Sequence, residues 1–93
     1  MAEYLLILEV PAREFYQRTA LPSERVRLER IFHELLADPF VDNETRFPFD
    51  DPPNVAAIYY DGEFWVIYSV VDYRIVSIVN VGFEQDPPRA NRE

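Results

Sequence analysis

The first apolar run of the chain, in residues 3–10, predicts a strand. It is short, almost continuous in apolar residues and stopped by Pro11, a pattern typical of a strand buried on both faces over its middle. Pro11 fits the first turn of a helix, where its missing N–H costs nothing. Residues 12–18 therefore predict a helix of two turns, with Phe15 as its anchor in the core.

A longer amphipathic helix follows. Ser23 predicts its N-cap, Glu24 is favourably placed near the positive end of the helix dipole, and Asp38 with Pro39 ends the helix. Apolar residues recur at spacings of three, four and seven, which predicts a helix of about 14 residues with one face toward the core. That apolar stripe consists of Leu21, Leu28, Ile31, Phe32, Leu35 and Leu36.

Residues 39–53 predict a loop, which is long for a compact domain. Loops of this length are usually functional or held in place by their own side chains. Phe40, Phe47 and Phe49 indicate that aromatic contacts pin this one.

From residue 54 the apolar period changes to two, which predicts three antiparallel strands over residues 55–60, 63–71 and 74–81. Asp61 and Gly62 are a strong signal for a type I′ hairpin turn, and Asp72 with Tyr73 predicts a second tight turn. Gly82 is expected to end the sheet, and the polar residues 84–93 to form a frayed tail. The predicted fold is α+β: one domain over residues 1–93, ordered over about 3–83, with a strand, two helices on one sheet face and a three-stranded meander.

The two turns fix which side chains share a face of the sheet. With two-residue turns, Tyr60 opposes Glu63 and Val71 opposes Arg74. Residues such as Phe64 and Val66 then pack on the helices. The other face is predicted to expose an apolar patch with a polar rim, covered either by a partner protein or by the chain's own tail or 39–53 loop. This predicted partner-binding patch consists of Ile58, Trp65, Ile67, Val76 and Ile78.

Composition narrows the classes of function. The 93 residues fit one domain, and the net charge is −8 with arginine as the only basic residue type besides one histidine. Such a charge disfavours direct binding to nucleic acid and fits a basic protein partner or a basic substrate better. The alternative is that the charge only keeps the protein soluble. The absence of cysteine excludes disulfides and thiolate chemistry. No apolar run is long enough to predict a membrane span, and no basic segment precedes residues 5–8 to predict a signal peptide, so a cytoplasmic location is expected.

Few residues have the type and spacing expected of a catalytic or metal-binding site. The single histidine, His33, is expected to be structural, and the loop acids Asp42, Glu44, Asp50 and Asp51 lack the spacing of a calcium site. There is no glycine-rich phosphate loop. No metal and no cofactor are therefore predicted. The weak catalytic candidates that remain are Arg46, Arg74 and Tyr60, because arginine can stabilise a transferring phosphate.

The order of elements resembles the RelE/ParE toxin superfamily, small bacterial toxins encoded beside an antitoxin. Local sequence agrees over nearly the whole chain: the helix end at residues 35–39, the strand at 61–70 with its glycine, aromatics and Tyr68, and the last strand at 74–82 with its closing glycine. The resemblance implies the fold above and an antitoxin-like partner. RelE-type ribonucleases carry basic and acid–base residues where this chain has Ala56, Ile58, Trp65, Glu84 and Ala90.

These departures predict a toxin-like protein that acts by binding protein, without RelE-type cleavage of mRNA. Two alternatives remain open. One is a ribonuclease that uses an altered set of residues, Arg46, Arg74 and Tyr60. The other is a non-toxic interaction module, for example a homodimer through the face around Trp65.

Overall fold

The computed structural model of the chain describes residues 4–48 and 55–86. Two helical segments connect the first strand to the rest of a five-stranded sheet. The first helix is α-helical at its start and continues as a π-helical segment over Phe15–Thr19. The elements are β1 (Leu5–Leu8), α1 (Val10–Glu14), α2 (Pro22–Ala37), β2 (Arg46–Pro48), β3 (Val55–Tyr60), β4 (Phe64–Val71) and β5 (Ile75–Phe83).

The sheet is mixed, with strand order β1-β5-β4-β3-β2. Strands β2 to β5 pair antiparallel, whereas β1 pairs parallel with β5 at the edge of the sheet. The predicted α+β class and the three-stranded meander are confirmed. The prediction of loop over residues 39–53 is wrong at Arg46–Pro48, because this segment pairs with β3 and forms β2. Phe49, Asp50 and Asp51 of that predicted loop lie outside the described residues.

The helices pack on one face of the sheet, which we call the inner face. The core lies between them, and Phe15 contributes to it as predicted, with its ring centroid 6.1 Å from that of Phe64 and 5.1 Å from that of Phe83. The described part of the chain places no helix on the opposite, outer face. The inner face carries Leu6, Leu8, Ala57, Tyr59, Phe64, Val66, Tyr68, Val70, Val76, Ile78, Val81 and Phe83.

Helix α2 begins two residues earlier than the predicted N-cap at Ser23 implies. Pro22 is its first residue, and the Glu24 carboxylate accepts a hydrogen bond of 2.8 Å from the backbone N–H of Leu21. This bond satisfies a donor that the helix leaves unpaired at its start, so Ser23 is not needed as a cap. Most of the predicted apolar stripe is buried, but Leu21 is 61% exposed because it precedes the helix.

The prediction that β1 is buried on both faces is wrong. Leu5, Leu6 and Ile7 are 65%, 37% and 45% exposed. An apolar run is compatible with an edge strand, which pairs on one side only, and with a central strand, which pairs on both sides. The sequence pattern therefore does not distinguish the two positions.

The β3–β4 turn differs from the predicted type I′ turn. Only Gly62 has a positive φ, of 96°, and Oδ1 of Asp61 accepts hydrogen bonds from the N–H groups of Glu63 (2.9 Å) and Phe64 (2.7 Å). The loop is therefore longer by two residues, and Tyr60 pairs with Trp65 instead of Glu63. A shift of two residues keeps every side chain on its predicted face.

The β4–β5 hairpin changes the predicted faces of β5. The tight turn at Asp72 and Tyr73 is confirmed, since both have positive φ (56° and 57°) and the Arg74 N–H bonds to the Val71 carbonyl. However, pairing resumes one residue late, with Val71 opposite Ile75, and a bulge at Val79 later restores the predicted parity. Between the turn and the bulge, each side chain lies on the face opposite to the predicted one.

Sheet pairing extends beyond the predicted end at Gly82, which opposes Trp65 within the β4–β5 ladder. A Cβ at Gly82 would lie 2.3 Å from Cζ2 of Trp65, so the indole rests directly on the glycine backbone. Residues 84–86 of the predicted tail continue in contact with the sheet, and residues 87–93 lie outside the described residues.

Replacing Gly82 with alanine should destabilise the fold by about 1–3 kcal/mol, the usual cost of overpacking. The indole of Trp65 must move to admit the methyl group. Urea unfolding followed by circular dichroism measures the change. In a Trp65→Leu background the same substitution should cost less, and an equal cost in both backgrounds would contradict this packing.

The stability that Asp61 contributes should depend on pH. Burial raises the pKa of its carboxyl, but hydrogen bonds from Arg27 and from two backbone N–H groups outweigh burial and lower the pKa below 3.8. Stabilisation by a carboxylate with a depressed folded pKa is present above its unfolded pKa and lost as pH falls through the folded value. Asp61→Asn should therefore be less stable than the wild type at pH 7, and this difference should shrink below pH ~4. Urea unfolding of the wild type and the variant at pH 7 and below pH ~4 tests this. A difference in the free energy of unfolding that stays constant between the two conditions would contradict it.

Candidate partner-binding face

The outer face of the sheet has an apolar centre. Phe47, Ile58 and Ile67 lie side by side on β2, β3 and β4, and Tyr60 packs against Phe47 with ring centroids 6.2 Å apart. Ile58 is 2% exposed, whereas Phe47 and Ile67 are partly exposed. The rest of the outer face carries Leu5, Ile7, Ala56, Trp65, Ser69, Val71, Ile75, Ser77, Asn80 and Gly82.

Trp65 lies at one end of this face and is covered by the chain itself. Its indole N–H donates a hydrogen bond of 2.7 Å to the carbonyl of Asp86, and 6% of its surface is exposed. The covering segment is anchored at Glu84, whose N–H bonds to the Glu63 carbonyl (2.9 Å) and whose carboxylate accepts from the Gly62 N–H (2.7 Å). Of the two predicted kinds of cover, the chain's own tail therefore accounts for the Trp65 end.

Two residues of the predicted patch lie elsewhere. Val76 and Ile78 are fully buried on the inner face, in the core beneath the helices, so the prediction that they face outward is wrong. The cause is the late restart of pairing after the β4–β5 turn, which reverses the faces of β5 as far as the bulge at Val79. Ile75 and Ser77 occupy the outer face in their place.

Arg46 is a structural cation in this fold. Its side chain is 8% exposed, its guanidinium donates a hydrogen bond to the Asp38 carbonyl at the end of α2, and it lies 5.4 Å from the ring centroid of Tyr59. A cation that caps the last carbonyls of a helix is favourable because the helix C-terminus carries partial negative charge. Its Nε is buried without a hydrogen-bond partner among the described residues.

Tyr59, which lies under the guanidinium of Arg46, is held protonated. Burial, together with a 2.7 Å hydrogen bond from its hydroxyl to the carboxylate of Glu34, raises the pKa of Tyr59 to about 12. At neutral pH this phenol can donate a hydrogen bond but cannot serve as a base.

The structure does not bring the three catalytic candidates together. Arg46 lies on the inner face opposite Tyr59, near the end of β3, while Tyr60 is partly buried on the outer face. Arg74 is exposed in the β4–β5 turn, at the other end of these strands. A phosphate could not contact all three, because a sheet separates the first two and the length of β4 separates both from the third.

Other candidate groups form no chemical site in the described residues. His33 is exposed on α2, and residues 4–48 and 55–86 contain no group of acidic or histidine side chains placed to hold a metal ion. None of the helices described is long and apolar enough to cross a membrane.

A cavity of about 370 Å³ near the start of α2 is lined by three glutamates and Phe83. Each carboxylate already has a structural role: Glu24 accepts from Leu21, Glu84 accepts from Gly62, and Glu63 forms an ion pair of 3.4 Å with Arg27. The cavity therefore lies where the start of α2, the β3–β4 turn and the end of β5 come together.

Sequence reasoning missed two features of the outer face. Phe47 belongs to its apolar centre, but β2 is too short to show a period of its own. The indole of Trp65 packs directly against the backbone of Gly82. An isolated glycine inside a strand pattern is a recognised signal that another group approaches the backbone closely.

The chain matches no protein-family model and no curated protein sequence. It is similar in structure to a chain of the crystal structure of the archaeal RelE–RelB complex from Pyrococcus horikoshii OT3. The two share 15% sequence identity and a TM-score of 0.75, and the alignment covers 91% of this chain and 99% of the other. The chain therefore has a fold of the RelE/ParE type, as its order of elements predicted.

Proposed function

We propose that this chain is a toxin-like protein that acts by binding a protein partner on the outer face of its sheet, without RelE-type cleavage of mRNA. The observation that carries the proposal is the partly exposed apolar surface of Phe47 and Ile67 on either side of the buried Ile58, on a face to which no described helix packs. An apolar centre inside a polar rim is typical of protein interfaces. The rim here includes Ser69, Asn80 and the hydroxyl of Tyr60.

The net charge of −8 favours a basic partner, since opposite charge speeds encounter and like charge opposes it. The similar solved structure is a complex of two proteins, RelE and RelB. By analogy, the partner of this chain is an antitoxin-like protein, and a segment of it would lie across the apolar centre.

The positions of the basic residues support binding over catalysis. Cleavage of RNA needs phosphate neutralisation and acid–base groups at one point. Arg46 is buried and caps a helix, and Arg74 lies at the far end of the strands. Where the resemblance to RelE-type ribonucleases calls for basic groups, this chain has Ile58 and Trp65, whose apolar side chains are buried.

The fluorescence of Trp65, which contacts residues 84–86, can be used to observe binding of a partner. Trp65 is the single tryptophan of the chain, and its indole N–H is bonded to the Asp86 carbonyl. A partner segment on the apolar centre lies next to this indole, so the fluorescence of Trp65 should change on binding.

Ile67→Arg should weaken binding to the product of an adjacent small gene by at least about tenfold, because a charge placed in a desolvated apolar contact costs more than the roughly 1.4 kcal/mol that tenfold represents. Titration followed by Trp65 fluorescence measures the affinity. Val26→Arg is the matched control, since Val26 is 61% exposed on α2, away from the outer face, and this variant should bind like the wild type.

Two results would overturn the proposal. One is the absence of any complex in gel filtration of the two purified proteins. The other is cleavage of ribosome-bound mRNA by the purified chain together with loss of that cleavage in Arg74→Ala, which would support the alternative ribonuclease.

A further inference from the structure

Strand β1 is an edge of the sheet, and none of the strands in residues 4–48 and 55–86 pairs with its outer side. Its four residues are all apolar, and Leu5, Leu6 and Ile7 are well exposed. Proteins usually protect an edge with charges, proline or a very short strand. The other edge strand, β2, has such protection because it ends in Pro48. Strand β1 contains neither a charge nor a proline.

The backbone of β1 directs hydrogen-bonding groups outward. The N–H of Leu5 bonds to the Arg74 carbonyl and the N–H of Glu9 to the Ile78 carbonyl, each at 2.9 Å. In a parallel ladder the residues that bond to the neighbouring strand alternate, so the N–H and C=O groups of Leu6 and Leu8 face the open edge. These four groups can pair with another strand.

We propose that β1 pairs antiparallel with β1 of a second copy of this chain, about a twofold axis at Ile7. This register places Leu6 opposite Leu8 of the second copy, with both outward backbone groups of each residue hydrogen-bonded. The two Ile7 side chains then meet across the axis on the outer face. Two sheets of five strands join into one sheet of ten.

A second copy fits this edge better than a basic partner does. The strand carries no charge that would select a cation, whereas an apolar strand is complementary to its own copy. In this register the nearest acid, Glu9, lies opposite Leu5 of the second copy, and its carboxylate already accepts a hydrogen bond of 2.6 Å from Ser77. No pair of like charges is therefore brought together along the strand.

The size and charge of the contact set its strength. A contact built on one short strand belongs to the small class of interfaces, so the dimer should dissociate at micromolar concentrations. The charge of −8 on each copy opposes association at long range, and salt screens this repulsion within about 8 Å at physiological ionic strength. The dimer should therefore strengthen as NaCl increases, whereas a contact with a basic partner would weaken.

Sedimentation equilibrium of the purified chain tests the proposal. We expect a monomer–dimer equilibrium whose dissociation constant falls as NaCl is raised. Leu6→Pro removes an N–H that faces the open edge and spares the ladder to β5, so it should weaken the dimer by at least about tenfold while circular dichroism stays unchanged. Ile7→Arg should weaken it similarly, because two cations would meet at the axis.

Two control variants separate this dimer from other contacts. Val26→Arg adds the same charge on α2 and should leave the dimer intact. Ile67→Arg should also leave it intact, because the edge contact does not use the apolar centre proposed to bind a protein partner. A chain that stays monomeric at every concentration and salt level would overturn the proposal, as would a dimer that survives Leu6→Pro and Ile7→Arg or is abolished by Ile67→Arg.

Discussion

Strand β4 lies at the centre of the sheet, and the alternation of its side chains determines what each face can do. Phe64, Val66, Tyr68 and Val70 point to the helices and are fully buried, which commits the intervening residues to the outer face. Trp65 and Ile67 are therefore placed where no described helix covers them. A shift of β4 by one residue would exchange the two sets and expose the core, so the burial of this one strand holds the register of the whole sheet.

The neighbouring strands adapt to β4 by local irregularities. The Asp61 side chain organises a longer turn that preserves the pairing parity of β3, and the β4–β5 turn with the bulge at Val79 changes and then restores the parity of β5. Bulges of this kind re-aim side chains without breaking a sheet. As a result Val76 and Ile78 fill the core next to β1, and the outer face keeps a compact apolar centre at β2, β3 and β4.

The same arrangement keeps the candidate catalytic residues apart. Arg46 is used to cap α2, Tyr59 is held protonated by burial and Glu34, and Arg74 is remote from both. The two surfaces proposed for protein contacts, the apolar centre and the β1 edge, lie at separate places on the sheet. The first is bordered by residues 84–86, which cover Trp65, and the second would use backbone groups.

The sequence alone determined the type of most elements, the amphipathic face of α2, the boundaries of β3 and the faces of β3 and β4, because these follow from spacings within a few residues. The outward positions of Ile58, Trp65 and Ile67 were predictable for that reason. The tertiary structure decided the edge position of β1, the existence of β2, the faces of Val76 and Ile78, and the cover over Trp65. Each of these depends on pairing between residues distant in sequence, and a local apolar pattern is compatible with more than one such pairing.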